Sequence, residues 1–200
     1  MNARPRSDEK AHVILAAALK VLAERGYAAT TVAQVAAEAG VSRGLLHYHF
    51  ESKEALLARV VHASIEPSLM LLEPMLAAGT SGASIASALT RAVRGLIRTD
   101  PAVFTLVFEG WAVSRQSEMV AREMRRMFRR FRAAMEAGLI QAKARGAIDP
   151  PMPVESVAML ATALMDGLAL QLVLDPELAQ DEVVWTSLET SLQRLLGTTP

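Results

Sequence analysis

The 200-residue sequence contains no cysteine, few aromatic residues and no excess of charge of either sign. Without cysteine, disulfide bonds, thiolate metal ligands and cysteine nucleophiles are excluded. Aromatic residues make up 4% of the chain and hydrophobic residues 52%, so a core would be mainly aliphatic. Alanine and leucine dominate, and both favour helix because they lose little entropy on entering one. The composition therefore predicts a helical protein with a substantial core.

The N-terminal sequence MNARPRSDEK lacks the apolar run of a signal peptide, so we expect a soluble cytoplasmic protein. Ser156–Leu174 is long enough to span a membrane. Asp166 lies near its centre, where insertion would cost roughly 2.5–3.5 kcal/mol, and no Lys/Arg cluster flanks the segment. Because a helix that is apolar nearly all round can also be buried by protein on both sides, we predict a buried helix and no membrane contact.

Apolar residues at helical spacing, with capping residues, glycine and proline between the runs, predict an all-α fold of about nine helices. Gly26 is expected to stop the first helix, and Pro67 and Pro74 to bend or end the fourth. Ala78–Ser84 is predicted to be a loop. The predicted helices are Ala11–Leu22, Thr31–Ala39, Ser42–His49, a segment from Ser52, Ile85–Ile97, Ala102–Ser114, Ser117–Lys143, Val154–Leu174 and Ala179–Leu196.

The most informative stretch is TTVAQVAAEAGVSRGLLHYHFESKEAL, from Thr30 to Leu56. It predicts two short capped helices joined at Gly40, where glycine permits the positive φ of a tight turn. A plain helical hairpin would need the same glycine and apolar residues. The second helix, however, lacks the glutamates and lysines of an ordinary surface helix, which favours a DNA-reading helix-turn-helix.

Three residues of that second helix suit base contacts. Arg43 can fork onto guanine O6 and N7, Gly44 allows close backbone approach, and Leu45 can pack on a thymine methyl. Phosphate groups of the DNA backbone can accept hydrogen bonds from hydroxyls and from the aromatic side chains, and a lysine at the start of the fourth helix adds positive charge. These further candidate DNA contacts are Thr31, Ser42, His47, Tyr48, His49 and Lys53. Two histidines two residues apart on a helix point to nearly opposite sides, so no metal site is predicted.

Gly26–Leu57 resembles the DNA-binding domain of the tetracycline-repressor (TetR) family. The matching elements are Gly26, Thr30-Thr31, Ala39-Gly40-Val41-Ser42, Leu46-His47-Tyr48-His49-Phe50 and Ser52-Lys53-Glu54. His47 and Tyr48 depart from the family pattern, which often has tyrosine at the first position and histidine or tryptophan at the second. The resemblance implies a DNA-binding domain over residues 1–52 and a ligand-binding and dimerisation domain over residues 53–200. The arrangement near Gly146, Ala158–Leu168 and Asp175-Pro176 is similar to the BetI-like branch of the family.

A small-molecule pocket is predicted between the helix Phe104–Trp111 and the helix Met119–Met135, with apolar walls of aromatic and methionine side chains. The alternative for the methionines is an ordinary core. The sequence leaves three alternatives open for Glu109: it faces solvent, it pairs with an arginine, or it anchors a ligand inside the pocket. The alternatives for Asp166 are similar. An inward Glu109 would favour an effector with a donor or positive end. The candidate ligand-binding residues are Phe104, Phe108, Glu109, Trp111, Met124, Met127, Phe128, Phe131 and Asp166.

A dense basic run follows on the same predicted helix. Its arginines form either a solvated face paired with Glu118, Glu123 and Glu136, which the sequence favours, or a second surface for nucleic acid or another anion. The run comprises Arg122, Arg125, Arg126, Arg129, Arg130 and Arg132.

The last two predicted helices are too apolar for one buried side each, which suggests a four-helix bundle with a second copy of the chain. The expected function is a dimeric repressor on an inverted-repeat DNA operator, released by a small, mostly apolar effector, with no cofactor. The alternative is a helical enzyme or carrier with an incidental helix-turn-helix. No phosphate-binding glycine loop, HExxH motif, nucleophile elbow or dinucleotide fingerprint occurs, so no enzyme is predicted.

Overall fold

The computed structural model describes residues 4–197, and for residues 4–8 the backbone alone. Over these residues it contains nine α-helices, one short 3-10 helix at Pro176–Gln180 and no strand, which confirms the all-α prediction. The outer ends of both predicted domains, residues 1–3 and 198–200, lie outside the described residues. The helices are α1 Arg4–Ala29, α2 Val32–Glu38, α3 Arg43–His49, α4 Lys53–Ala78, α5 Gly82–Thr99, α6 Ala102–Ser114, α7 Glu118–Ala144, α8 Val154–Leu174 and α9 Glu182–Leu195.

The chain divides into two compact units, each of which contains two stretches of sequence. The first unit comprises residues up to Ile65 together with Thr105–Met127, and the second comprises Glu66–Phe104 and the residues from Phe128 onward. The start of α4 and parts of α6 and α7 therefore group with α1–α3. The functional boundary between residues 52 and 53 stays a prediction.

The three N-terminal helices pack around apolar side chains supplied at helical spacing. Ile14, Ala18 and Leu22 of α1 are buried, and they recur every four residues on one face of that helix. The short helices α2 and α3 contribute Val35, Ala36 and Leu46, and Phe50 follows α3. Since α3 has its apolar side in this core, its opposite side is left to face outward.

Local hydrogen bonds set the ends of α2 and α3. Thr31 accepts from the backbone N–H of Gln34 at 3.3 Å, and the Gln34 side chain accepts from the Thr31 N–H at 2.8 Å. This is the predicted capping box. Ser42 caps α3 by accepting from the Leu45 N–H at 3.1 Å. Between the two helices Gly40 has φ +63°, the positive value that the turn was expected to need.

Helix α4 runs unbroken through both of its prolines, so the prediction that Pro67 or Pro74 could end the helix is wrong. A proline inside a helix removes one backbone hydrogen bond and costs about 3 kcal/mol. Pro67 and Pro74 are exposed, whereas Leu72 and Leu76 are buried in the core of the second unit. Burying a leucine stabilises by about 1.5–3 kcal/mol, so tertiary packing is large enough to hold the helix together.

The loop predicted over Ala78–Ser84 is shorter than expected. Helix α4 continues to Ala78, and α5 already begins at Gly82. Ser81 caps α5 by accepting from the Ser84 N–H at 3.2 Å, and Ser84 accepts from the Ser81 N–H at 3.0 Å. This second capping box starts the helix three residues before the apolar run that was used to place it.

The second unit has a core built from the end of α4 with α5, α7, α8 and α9. The Arg94 guanidinium forms two hydrogen bonds with the Glu182 carboxylate and lies 5.4 Å from the centroid of the Trp185 ring, which joins α5 to α9. The Trp185 indole donates to the backbone oxygen of Ala179 at 2.9 Å. These contacts hold α9 against α5 while the opposite side of α9 stays accessible.

Two helices, α4 and α8, are long and apolar enough to cross a membrane by length and composition alone. Core packing accounts for one side of α8, where Val157, Ala161, Met165 and Leu172 are buried within the second unit. Other large apolar residues of α8 are exposed in the single chain, so the burial on both sides that was predicted for Ser156–Leu174 is seen on one side only.

Replacing Gly40 by alanine should destabilise the protein by about 1–2 kcal/mol, because an L-residue is strained at positive φ. The control is Gly44→Ala in α3, where a Cβ would lie 4.0 Å from the Ser42 hydroxyl oxygen, an ordinary contact. Alanine there should stabilise by roughly 0.5–1 kcal/mol. Urea unfolding of both variants measures the difference, and equal midpoints would contradict the strain at Gly40.

Candidate functional site

The outward side of α3 carries the residues predicted to read DNA. Leu46 and Phe50 anchor the helix in the core, while Arg43, Gly44 and His47 are exposed. Tyr48 is 79% exposed. Among the described residues no hydrogen bond or ion pair engages Arg43, so its guanidinium is available to a partner. Leu45 and His49 are partly buried, at the edges of this surface.

The residues predicted to contact phosphate differ in whether their hydroxyl groups already donate hydrogen bonds within the chain. Thr31 donates its hydroxyl hydrogen to the Gln34 side chain at 3.0 Å. Ser42 accepts from the Leu45 N–H, which leaves its own hydroxyl hydrogen free to donate. The Tyr48 ring meets the His49 ring edge-on, with centroids 5.2 Å apart. Ser42 and Tyr48 are therefore better placed to donate to phosphate than Thr31 is.

Lys53 begins α4 and lies beside Tyr27, near the end of α1. Its ammonium is 4.1 Å from the centroid of the Tyr27 ring and 3.4 Å from the backbone oxygen of Ala28. The Tyr27 hydroxyl donates to Glu54 at 2.8 Å. The backbone N–H of Glu54 and the Tyr27 hydroxyl both donate to the Glu54 carboxylate and lower its pKa. Burial raises the pKa of the Tyr27 hydroxyl, and its hydrogen bond to Glu54 raises that pKa further. This cluster ties the end of α1 to the start of α4.

Glu109 of α6 makes a contact that was not among the three alternatives predicted from the sequence. Its Oε1 accepts a hydrogen bond from the backbone N–H of Tyr27 at 3.2 Å. The preceding Gly26 has φ +71°, and a Cβ at that position would lie 2.9 Å from the same Glu109 oxygen. The carboxylate therefore meets the backbone where α1 breaks. Tyr27 was missed by the sequence reasoning, and its 82-residue separation from Glu109 leaves no local signal of this contact.

The predicted ligand-binding residues of the first unit have different environments. Met124 and Met127 are buried, Phe108 is partly buried, and Trp111 is 61% exposed. Helices α6, α7 and α4 meet at Gly110, where a Cβ would lie 2.7 Å from the Met124 sulfur and 3.3 Å from Val61 Cγ2. The two methionines thus pack as core residues, with side chains flexible enough to move for a guest.

The other predicted ligand-binding residues lie in the second unit. Phe104 and Phe128 are partly buried, and Phe131 packs against the core of that unit. Asp166 of α8 is also partly buried, and burial raises the pKa of its carboxyl to about 6. A cationic group beside Asp166 would favour the ionised form that burial disfavours. Among the described side chains, those of residues 9–197, no cluster of metal-ligating residues occurs.

Helices α8 and α9 form a shallow, open groove on the second unit. Leu164, Leu168 and Val184 line it together with the small residue Gly167. The surface carried by these two helices also includes large apolar side chains that are exposed in the single chain. These are Met159, Leu160, Leu170, Leu174 and Val183.

The capped α2–turn–α3 arrangement with an exposed arginine on α3 defines a helix-turn-helix transcriptional regulator. Residues 14–60 match the family described as "Bacterial regulatory proteins, tetR family". Residues 74–197 match "BetI-type transcriptional repressor, C-terminal". The chain belongs to the TetR family of bacterial transcriptional regulators. This confirms the resemblance inferred from Gly26–Leu57 and the similarity of the second half to the BetI-like branch.

Relatives over most of the chain are transcriptional regulators and not enzymes. The regulator BetI of Rhizobium meliloti is 29% identical over 78% of this chain and 73% of its own length. The uncharacterised regulator YfiR of Bacillus subtilis is 24% identical over 82% of this chain and 80% of its own. The structure of Salmonella enterica GusR superposes with a TM-score of 0.79 at 25% identity, covering 98% of each chain. Members of the family bind DNA and small-molecule effectors and are dimeric.

Proposed function

We propose that the chain is a cytoplasmic, homodimeric repressor that leaves an inverted-repeat operator when a small, mostly apolar effector binds. The observation that carries the proposal is the exposed side of α3, which offers an unengaged Arg43 beside Gly44 and Tyr48. The match of residues 74–197 to a family of repressors supports repression. The alternative of an enzyme or carrier has no supporting site in the described residues.

Two substitutions should weaken DNA binding in distinguishable ways. Arg43→Ala should cost about 1–3 kcal/mol on operator DNA and relax the preference for one base pair in each half-site. Lys53→Ala should weaken binding to all sequences alike and lower the salt slope by about one unit per half-site. Titrations of operator and scrambled duplexes at several salt concentrations measure both effects. Equal losses on the two DNAs for Arg43→Ala would remove it from base reading.

The dimer is proposed to form through α8 and α9. Exposed apolar residues around the groove, such as Leu174 at 76% and Val183 at 68% exposure, are costly to leave in water. In a two-fold dimer the same patch is buried on both subunits, so one such surface is enough. A two-fold dimer has two copies of α3, which would have to reach major grooves about 34–36 Å apart or further, so the operator is expected to be an inverted repeat.

Gly167→Glu should convert the dimer to a monomer. A Cβ at Gly167 meets no atom within 4 Å in the single chain and Gly167 is exposed, so a new side chain can leave the helix there without displacing the protomer's own atoms, whereas its charge would be buried in the proposed interface. Gly95→Glu on α5 is the matched control, since a Cβ there also meets nothing within 4 Å. Analytical ultracentrifugation should show a monomer for the first variant and a dimer for the second. A monomeric wild type would refute the dimer itself.

The effector is proposed to contact α6 and α7, where Phe108, Met124 and Met127 supply apolar surface. Glu109 is proposed to transmit binding instead of holding the ligand, because its carboxylate contacts the Tyr27 backbone at 3.2 Å. A shift of α6 would then act directly on the end of α1.

Effector and operator should each weaken the binding of the other by the same factor, typically about 5–150-fold. Native mass spectrometry of the purified protein identifies a co-purified molecule, and calorimetry with and without operator measures the factor. Glu109→Ala should reduce it, whereas Glu109→Gln should retain most of it because the amide oxygen still accepts from the Tyr27 N–H. Unchanged effector affinity in the presence of operator would refute ligand release.

A further inference from the structure

Arg122, Arg125 and Arg126 form an exposed arginine surface on α7. Between Arg115 and Arg132 the sequence has seven arginines and two glutamates, although the whole chain has no net charge. These three arginines belong to the same compact unit as the helix-turn-helix. Arg115 belongs to that unit as well, whereas Arg129, Arg130 and Arg132 lie in the other unit, so the unit with the helix-turn-helix holds four of the seven arginines and both glutamates.

Glu123, which lies between Arg122 and Arg126 in the sequence, has its carboxylate 2.9 Å from Nδ1 of His62. Glu118 pairs with Arg125 at 2.6 Å, but the two side chains are 68% and 51% exposed. Exposed ion pairs of this kind contribute little and are screened by salt. Arg122 and Arg126, one helical turn apart, have no ion-pair partner among the described residues.

Not every cation near the helix-turn-helix is free for phosphate, since Lys20 is bound to Glu38 at 2.6 Å. Further cations of the same unit can add to the phosphate contact proposed for Lys53. Affinity for DNA depends on the number of phosphates that a protein neutralises. Arginine suits phosphate because its planar guanidinium can donate two parallel hydrogen bonds. We propose that the arginine surface on α7 is a second, sequence-independent contact to the DNA phosphate backbone, a proposal that builds on the proposed operator binding.

The test compares the double variant Arg122→Gln/Arg126→Gln with wild type on a random-sequence DNA duplex at several salt concentrations. The slope of log K against log salt should become shallower by up to about 0.9 for each phosphate contact that is lost. Arg91→Gln/Arg98→Gln on α5 removes the same charge from exposed positions of the other unit and should leave the slope nearly unchanged. Arg122→Lys/Arg126→Lys should retain the wild-type slope, because lysine also neutralises phosphate.

An unchanged slope in the glutamine variant would overturn the proposal, and so would an equal decrease in the α5 control, which would indicate only a general charge effect. If the double variant fails to fold, each single glutamine variant should show about half of the decrease. The ratio of operator to random-duplex affinity should stay the same in all these proteins. A wild type that shows no operator preference would refute the proposed repressor while leaving the slope comparison valid.

Discussion

The hydrogen bonds and ring contact made by Tyr27 hold together the segment on which the first unit depends. The backbone N–H bonds to Glu109 of α6, the hydroxyl bonds to Glu54 of α4, and the ring lies under the ammonium of Lys53. One residue at the break of α1 thus contacts two other helices through three different chemical groups. Any movement of α6 or α4 must be accommodated at this point, which is why the proposed coupling between effector and DNA runs through it.

In the α2–turn–α3 segment, the residues that stabilise the fold are different from those that face outward. Apolar residues such as Val35 and Leu46 are buried, and polar residues cap the helices. The exposed side of α3 is then not needed for packing, so its composition can be set by the DNA sequence that it is proposed to read. The second unit shows the same division, since α8 buries one side in its own core and presents Gly167 and neighbouring apolar residues on the other.

Neutral overall charge conceals an uneven distribution. Glutamates near α7 are engaged by His62 and by the backbone of Tyr27, whereas Arg122 and Arg126 remain on the surface. A count along the sequence treats these charges alike. Their different contacts, with Glu123 beside His62 and the two arginines exposed, are the basis of the proposed contact with DNA phosphates.

The sequence by itself determined the features that depend on neighbouring residues. Capping by Thr31 and Ser42 and the positive φ at Gly40 follow from short-range rules, because each involves residues within four positions of one another. Only the tertiary structure decided the course of α4 and the role of Glu109. Pro67 and Pro74 disfavour helix locally, but burial of Leu72 and Leu76 outweighs that cost. Glu109 meets Tyr27 across 82 residues, and such a contact exists only once packing has brought α6 against the end of α1.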